Sequence, residues 1–439
     1  MMKSLTLCTL LALLISCSGR DNNLRNKKLA DQIMGNEYFA YTLEKAKEIM
    51  ATGFNAGDSY SEVWIRDYTT FMELAAAVHP ASELKENLLI FFRMQADDGN
   101  ILDGVVPIGD NPLWGGYDYY LTEREPNFAG HKNTVETDQE TSLVQGVYRY
   151  IQATGDETIL HEDVFGQTVL ERLEWAMQYL MDDKYDRQYG LLFGATTADW
   201  GDVQPGHPWG VKWDENTYPA IDIYDNAMLI IALDNLMEMA PETKTRWEPI
   251  RNAIFENTRK HLWDAENQKF IPHIYLERGS PFPEDFDENQ IYYFGGTAVA
   301  IEAGLLSHEE VKQAIDEMAR RVELAGAASI GLTLYPPYPE GFFMNPGMSP
   351  EYSYQNGGDW TWFGGRMIQQ LVKYGFVEEA FEHIQPMVKR VKDNDGFFEW
   401  YTINNEPRGS GTFRGSAGVL YVAIGLLEDW ASNEIPPIN

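Results

Sequence analysis

Five short stretches concentrate carboxylates, four of them beside aromatic rings. They are Trp64-Ile65-Arg66-Asp67, Glu136-Thr137-Asp138-Gln139-Glu140, Thr197-Ala198-Asp199-Trp200-Gly201-Asp202, Tyr354-Gln355-Asn356-Gly357-Gly358-Asp359-Trp360-Thr361-Trp362 and Asp395-Gly396-Phe397-Phe398-Glu399-Trp400-Tyr401. Aromatic faces stack on the C–H faces of sugars, and carboxylates hydrogen-bond their hydroxyls. Two opposed carboxyl groups are also the machinery that cleaves a glycosidic bond. Plainer readings exist. Asp67 fits a helix cap with Arg66 paired locally. Acidic residues at 136, 138 and 140 fit the first turn of a helix, where the dipole favours negative charge. Asn356-Gly357 fits a turn and Asp359 an N-cap. Glu399 fits a buried pair with an arginine. Asp199 and Asp202, flanking an indole in a loop with Pro205, Pro208, Trp209 and Trp213, are explained least well by capping. A carboxyl beside an indole loses water, which raises its pKa as a general acid requires. Asp225, in the helix that follows, is a further acid candidate.

Other chemistries have no local support. There is no HExxH, no cluster of cysteine and histidine, no Gly-rich phosphate loop, no G-x-S-x-G elbow and no dinucleotide-binding fingerprint. His131 and His207 are the only histidines in the long aromatic loops before residue 220. A polysaccharide lyase or sugar epimerase would need such groups as bases. A non-catalytic glycan-binding protein would need the aromatic platforms alone.

The elements that must position these residues are helical. Apolar spacing predicts helices near 36–52, 66–79, 82–96, 134–154, 166–183, 221–240, 243–263, 295–305, 308–324, 359–375, 376–392 and 415–432. Strand-like alternation is scarce, with Phe270 to Tyr275 one short candidate. Twelve helices suit six inner and six outer members of an all-α (α/α)6 barrel. The long loops at 99–133, 191–219, 325–358 and 393–414 would then gather on one face and build a pocket.

The first residues read as a lipoprotein leader. Lys3 precedes an apolar run from Leu5 to Ile15, too short to span a bilayer. Leu14-Ile15-Ser16-Cys17 looks like a bacterial lipobox, with Cys17 lipidated after removal of residues 1–16. Residues 17–30 are expected to hold the anchor and a flexible tether, and 31–439 a single barrel domain. Cleavage would leave Cys17 as the only cysteine, so no disulfide within the chain is expected.

Lysine plus arginine total 34 against 67 aspartates and glutamates, a net charge of −33. That charge excludes nucleic acid as a natural partner and disfavours docking on anionic lipid headgroups. The membrane is expected to be touched through the anchor only. A neutral oligosaccharide would be unaffected by the charge. Hydrophobic residues at 44% supply a large core, which excludes disorder for most of the chain.

Taken in order, the five stretches resemble the (α/α)6-barrel glycosidases: neutral/alkaline invertases, α-barrel trehalases, processing α-glucosidases and the amylo-1,6-glucosidase part of glycogen-debranching enzymes. Trp64 to Asp67 looks like their W-x-R-D motif. Asn133 to Asp156 is similar to a debranching-enzyme stretch. Asp199-Trp200-Gly201-Asp202 is similar to the invertase D-F-G-E and to the D-W-N-D of cellobiose phosphorylases. Tyr354 to Trp360 looks like Y-H-N-G-G-S-W, and Phe397 to Tyr401 like W-P-E-Y-Y, which carries the general base in that group. The resemblance implies an inverting, exo-acting glycoside hydrolase with Glu399 as base and Asp199, or else Asp202 or Asp225, as acid. It implies sugar contacts from Trp64, Arg66, Asp67, Glu136, Trp200, Asp225, Gln355, Asn356, Trp360 and Trp400. No metal and no organic cofactor are expected, since water and two carboxyls suffice.

Overall fold

The computed structural model describes residues 24–109, 119–208 and 210–434. The leader, Cys17 and Trp209 lie outside the described residues. Helix α1 covers residues 24–34 and buries Ala30 and Ile33 in the core, so packing begins ahead of the expected tether end at residue 30.

The expected helices follow as α2 (Glu37–Met50), α3 (Ile65–Thr70), α4 (Met72–Ala76), α5 (Ala81–Arg93), α6 (Asp138–Thr154), α7 (Val169–Asp183), α8 (Ile223–Met239), α9 (Lys244–His261), α10 (Phe294–Glu302), α11 (His308–Ala325), α12 (Thr361–Lys373), α13 (Val377–Asn394) and α14 (Arg414–Glu434). The helix expected over 66–79 is broken at Phe71. There the Thr70 hydroxyl donates to the Asp67 carbonyl at 2.8 Å, and the Trp362 indole N–H donates to the Thr70 oxygen at 3.0 Å. Such back-bonding competes with the helical ladder. The strand candidate over 270–275 resolves into two-residue pieces, Lys269–Phe270 and Ile274–Tyr275, which join different sheets.

Burial separates two classes of helix. In α8, 13 of 17 residues are buried; in α11, 4 of 18 are. A helix buried all round belongs inside, and one with a single apolar stripe covers it. The broken pair α3/α4, then α6, α8, α10, α12 and α14, pack each against the next, and α14 closes on α3 and α4. The remaining helices from α2 to α13 back this ring. The result is the (α/α)6 barrel. Outer helices are stopped and started by local signals: Thr168 with Glu171 and Ser307 with Glu310 form capping boxes at α7 and α11, and left-handed Gly326 ends α11.

Because every inner helix follows an outer one, all six run the same way. The loops that enter them therefore meet at one end of the barrel. A three-stranded antiparallel sheet there sets Trp64 (strand Val63–Trp64), Gly104 (strand Gly104–Pro107) and His131 (strand Phe128–His131) abreast.

Ring closure depends on close backbone approach. A Cβ on Gly418 of α14 would lie 2.5 Å from the Cα of Phe71, where the broken helix turns. Gly418→Ala is expected to destabilise the fold by about 1–3 kcal/mol, read as a lower urea midpoint. Gly425→Ala, on the same helix with no described atom within 4 Å of the added carbon, should be neutral or stabilising.

Candidate active site

At the N-terminal end of the inner ring lies a cavity of about 690 Å³. That volume is typical of sites that enclose a small molecule. Its walls come from the loops entering α3, α6, α8, α12 and α14, and from the first turns of α3 and α12. Helix N-termini carry partial positive charge, which offsets the carboxylates gathered there.

Arg66, in the first turn of α3, ties three of the five stretches together. Its Nη1 donates to Glu136 at 3.2 Å, to Asp138 at 3.0 Å and to the Trp200 carbonyl at 3.2 Å. Its Nη2 lies 3.6 Å from Asp202. The guanidinium also sits 5.5 Å from the centre of the Trp362 ring. Burial alone would lower its pKa, but Asp138 and Glu136 outweigh that and hold it well above the ordinary arginine value. Glu136 is itself pushed well up, by burial first and then by Asp138, against the pull of Arg66.

The two aspartates around Trp200 have different jobs. Asp199 is 1% exposed and turns away from the cavity. Its carboxylate accepts the backbone N–H groups of Gly295 and Gly296 at 2.7 Å each, capping α10. Its own backbone is left-handed, with φ 58°. Burial pushes its carboxyl up to about 8, opposed by those two donors. The expectation of Asp199 as the acid is thus corrected: it caps a helix outside the cavity, the role its sequence setting had suited least. Asp202 does line the cavity, where it accepts from Gln355 Nε2 at 3.0 Å.

Glu399 lines the same cavity from the loop before α14. It accepts from the Tyr60 hydroxyl at 2.7 Å and from the Ser410 N–H at 3.1 Å. Burial pushes its carboxyl up, the two donors pull it down, and the charge of Asp202 adds to the rise. Asp67 also reaches the cavity, and burial brings its carboxyl up to about 8.

Trp64, Trp200, Gln355, Trp360 and Trp400 also border the cavity. The Trp200 indole stacks on Phe363, with ring centres 4.4 Å apart, and meets Trp360 and Trp362 edge-on. Three expected contacts lie elsewhere. Glu136 is buried behind Arg66 as its ion-pair partner. Asp225 sits in the first turn of α8, where it accepts the Thr137 N–H at 3.4 Å. Asn356 is fully buried and clamps the Tyr338 backbone, accepting its N–H at 2.8 Å and donating to its carbonyl at 3.0 Å.

Trp362, at the end of the fourth stretch, lines the cavity as well, as do Tyr60, Glu62, Asp103 and His131, which sequence reasoning had not assigned to a site. Tyr60 and Glu62 lie two to four residues before Trp64 and could have been found by extending that stretch. Asp103 and His131 come together only through strand pairing, with His131 Nδ1 3.6 Å from Asp103. Among the described residues no group of histidine, cysteine, aspartate and glutamate is arranged to hold a metal ion.

No protein-family model matches the chain, and no curated protein matches it. Solved structures share its fold. A GH63 mannosylglycerate hydrolase from Thermus thermophilus, in complex with glucose, aligns with a TM-score of 0.58 at 16% identity, over 86% of this chain and 98% of that one. A rhamnosidase from Klebsiella oxytoca with rhamnose bound aligns with a TM-score of 0.57 at 12% identity, over 89% of this chain and 63% of that one. A GH78 rhamnosidase from a Bacillus species gives 0.58 at 14%, over 88% of this chain and 34% of that one. At such identities the likeness is one of fold, the (α/α)6 barrel.

The division of labour between the aspartates is testable by stability. Asp199→Ala leaves two buried amides without an acceptor, so it should cost about 1–3 kcal/mol in denaturant unfolding. Asp202→Asn, at the cavity wall, should leave the unfolding midpoint close to that of the wild type.

Proposed function

We propose that this chain is a glycoside hydrolase that removes a terminal sugar from an oligosaccharide with inversion of configuration. Asp202 is the general acid and Glu399 the general base. The observation that carries this reading is that these two carboxyls, from loops far apart in sequence, border one aromatic-walled cavity, with the charge of Asp202 felt at Glu399. Glu399 takes a proton from water as that water attacks the anomeric carbon. Asp202 gives a proton to the leaving oxygen, so water is added across the bond and both carboxyls are reset by solvent. Tyr60 and the Ser410 N–H favour an ionised Glu399, as a base needs. Trp200, Trp360 and Trp362, buried at the inner end, form a floor that suits the end of a sugar chain. Trp64, Arg66, Asp67, Gln355 and Trp400 surround the terminal ring.

His131 and Tyr60 on the cavity wall favour one second reading, a lyase or epimerase. Products separate the two: a hydrolase releases a reducing sugar with uptake of water, a lyase an unsaturated one, and an epimerase breaks no glycosidic bond. On a panel of glucosyl, mannosyl and rhamnosyl α-glycosides, Glu399→Gln and Asp202→Asn are each expected to lose about 10²–10⁴-fold in rate. The matching glycosyl fluoride, which needs little acid help, should rescue Asp202→Asn and leave Glu399→Gln inactive. NMR of the first-formed sugar should show the inverted anomer. Wild-type turnover by Glu399→Gln would overturn the assignment.

The leader motivates a second proposal, that Cys17 carries a lipid and holds the protein in a bacterial envelope. Cys17→Ser should move it from the membrane fraction to the soluble one. Retention on membranes through salt washes would defeat the lipobox reading.

A further inference from the structure

The charge census of the cavity is lopsided. Five carboxylic side chains border it: Glu62, Asp67, Asp103, Asp202 and Glu399. One arginine faces them, Arg66, and it is already engaged by Glu136 and Asp138 from behind. His131 adds a second basic group, 3.6 Å from Asp103. Among the described residues no lysine borders the cavity.

An excess of acids is by itself only a solvated cluster. Here it is buried and underused. Asp67 is 6% exposed, and its Oδ1 has no hydrogen-bond partner among the described residues. Burial raises its carboxyl, Arg66 opposes the rise, and Glu399 and Asp103 add to it. A bound cation would replace the missing donor and relieve the crowded negative charge. A bound anion would meet no free cation and would pay both desolvation and repulsion. The half-buried indoles of Trp64 and Trp400 border the same space, and ring faces attract an ammonium group within about 6 Å.

We infer that the cavity prefers a saccharide carrying a free amine and rejects saccharides carrying carboxylate, sulfate or phosphate. The inference deepens the glycosidase reading by naming its substrate class, and rests on that reading only for the claim that the bound sugar is cleaved. The amine lies against the wall formed by Glu62, Asp67 and Asp103, leaving Asp202 and Glu399 to act on the glycosidic bond.

Calorimetric binding to the full chain tests this without turnover. The ligands are matched sets built on glucose and mannose: the parent hexose, its 2-amino and 6-amino forms, the N-acetyl form and the uronate. At least one free amine is expected to bind about tenfold or more tighter than its parent, and the uronates about tenfold or more weaker. The N-acetyl forms, which lack the charge, should lose the advantage. Glu62→Gln and Asp103→Asn should each narrow the gap between amine and uronate, and two variants guard against one that fails to fold. Amines that bind no better than the parent hexoses, or uronates that bind as well as them, overturn the inference. Glycosides of the preferred sugar that bind but are not cleaved would refute the hydrolase reading and leave the amine preference standing. Cleavage of neutral glycosides with no amine preference would do the reverse.

Discussion

A single buried guanidinium organises the acidic end of this barrel. Arg66 reaches from the first inner helix to the second through Glu136 and Asp138, and to the loop before the third through the Trp200 carbonyl and Asp202. Removing Arg66 from this set would leave buried Glu136 and Asp138 uncompensated, which costs about 3–5 kcal/mol. The arrangement also has more acid than base, so Glu136, pushed up first by burial, is raised further by Asp138. Tyr224 donates to Asp138 at 2.9 Å and so extends the network into α8. The position of Asp202 is therefore set by three inner helices at once.

The two proposed proton-transfer groups are held by one segment. Gln355 donates to Asp202, while four residues later Asp359 exchanges two backbone hydrogen bonds with Tyr401, at 2.8 and 2.9 Å, beside Glu399. Asp359 is fixed in turn by buried Arg390, whose Nη1 and Nη2 donate to its carboxylate at 2.9 and 2.5 Å. The chain entering and crossing this segment turns tightly, with Tyr354 just before it at φ 48° and Gly357 within it at φ 85°. Strain of that kind persists only where the surroundings enforce it. Here the enforcement comes from Asn356, which locks onto Tyr338 from below. Asp359 was read as a possible helix cap; its carboxylate instead anchors the segment that runs from Gln355 toward the strand beside Glu399.

Capping competes with chemistry for the same residue types. An aspartate beside Gly-Gly amides at a helix start is a satisfied acceptor, and Asp199 is taken up in that way. A Cβ at Gly295 would sit 2.8 Å from the Asp199 carboxylate and 2.2 Å from the Trp200 ring. The glycine pair thus admits both side chains, and in doing so turns Trp200 into the floor and Asp202 toward the cavity.

The sequence alone determined most of the helices, a number that suits an inner and an outer ring, and the long loops expected to gather on one face, because apolar periodicity is a local signal that packing must satisfy; which helices are inner was decided by packing. It also named Arg66, Asp67, Asp202, Gln355, Glu399 and the bordering tryptophans, because carboxylates beside indoles in long loops have few other uses. It could not separate Asp199 from Asp202, three residues apart, because the choice depends on the Gly295–Gly296 amides nearly a hundred positions on. Glu136, Asp225 and Asn356 share the composition of the site and differ from it only in direction, which the surrounding helices impose. Tyr60, Asp103 and His131 became neighbours of Glu399 and Asp67 through strand pairing and ring closure. Those are contacts between distant segments, and only the folded chain decides them.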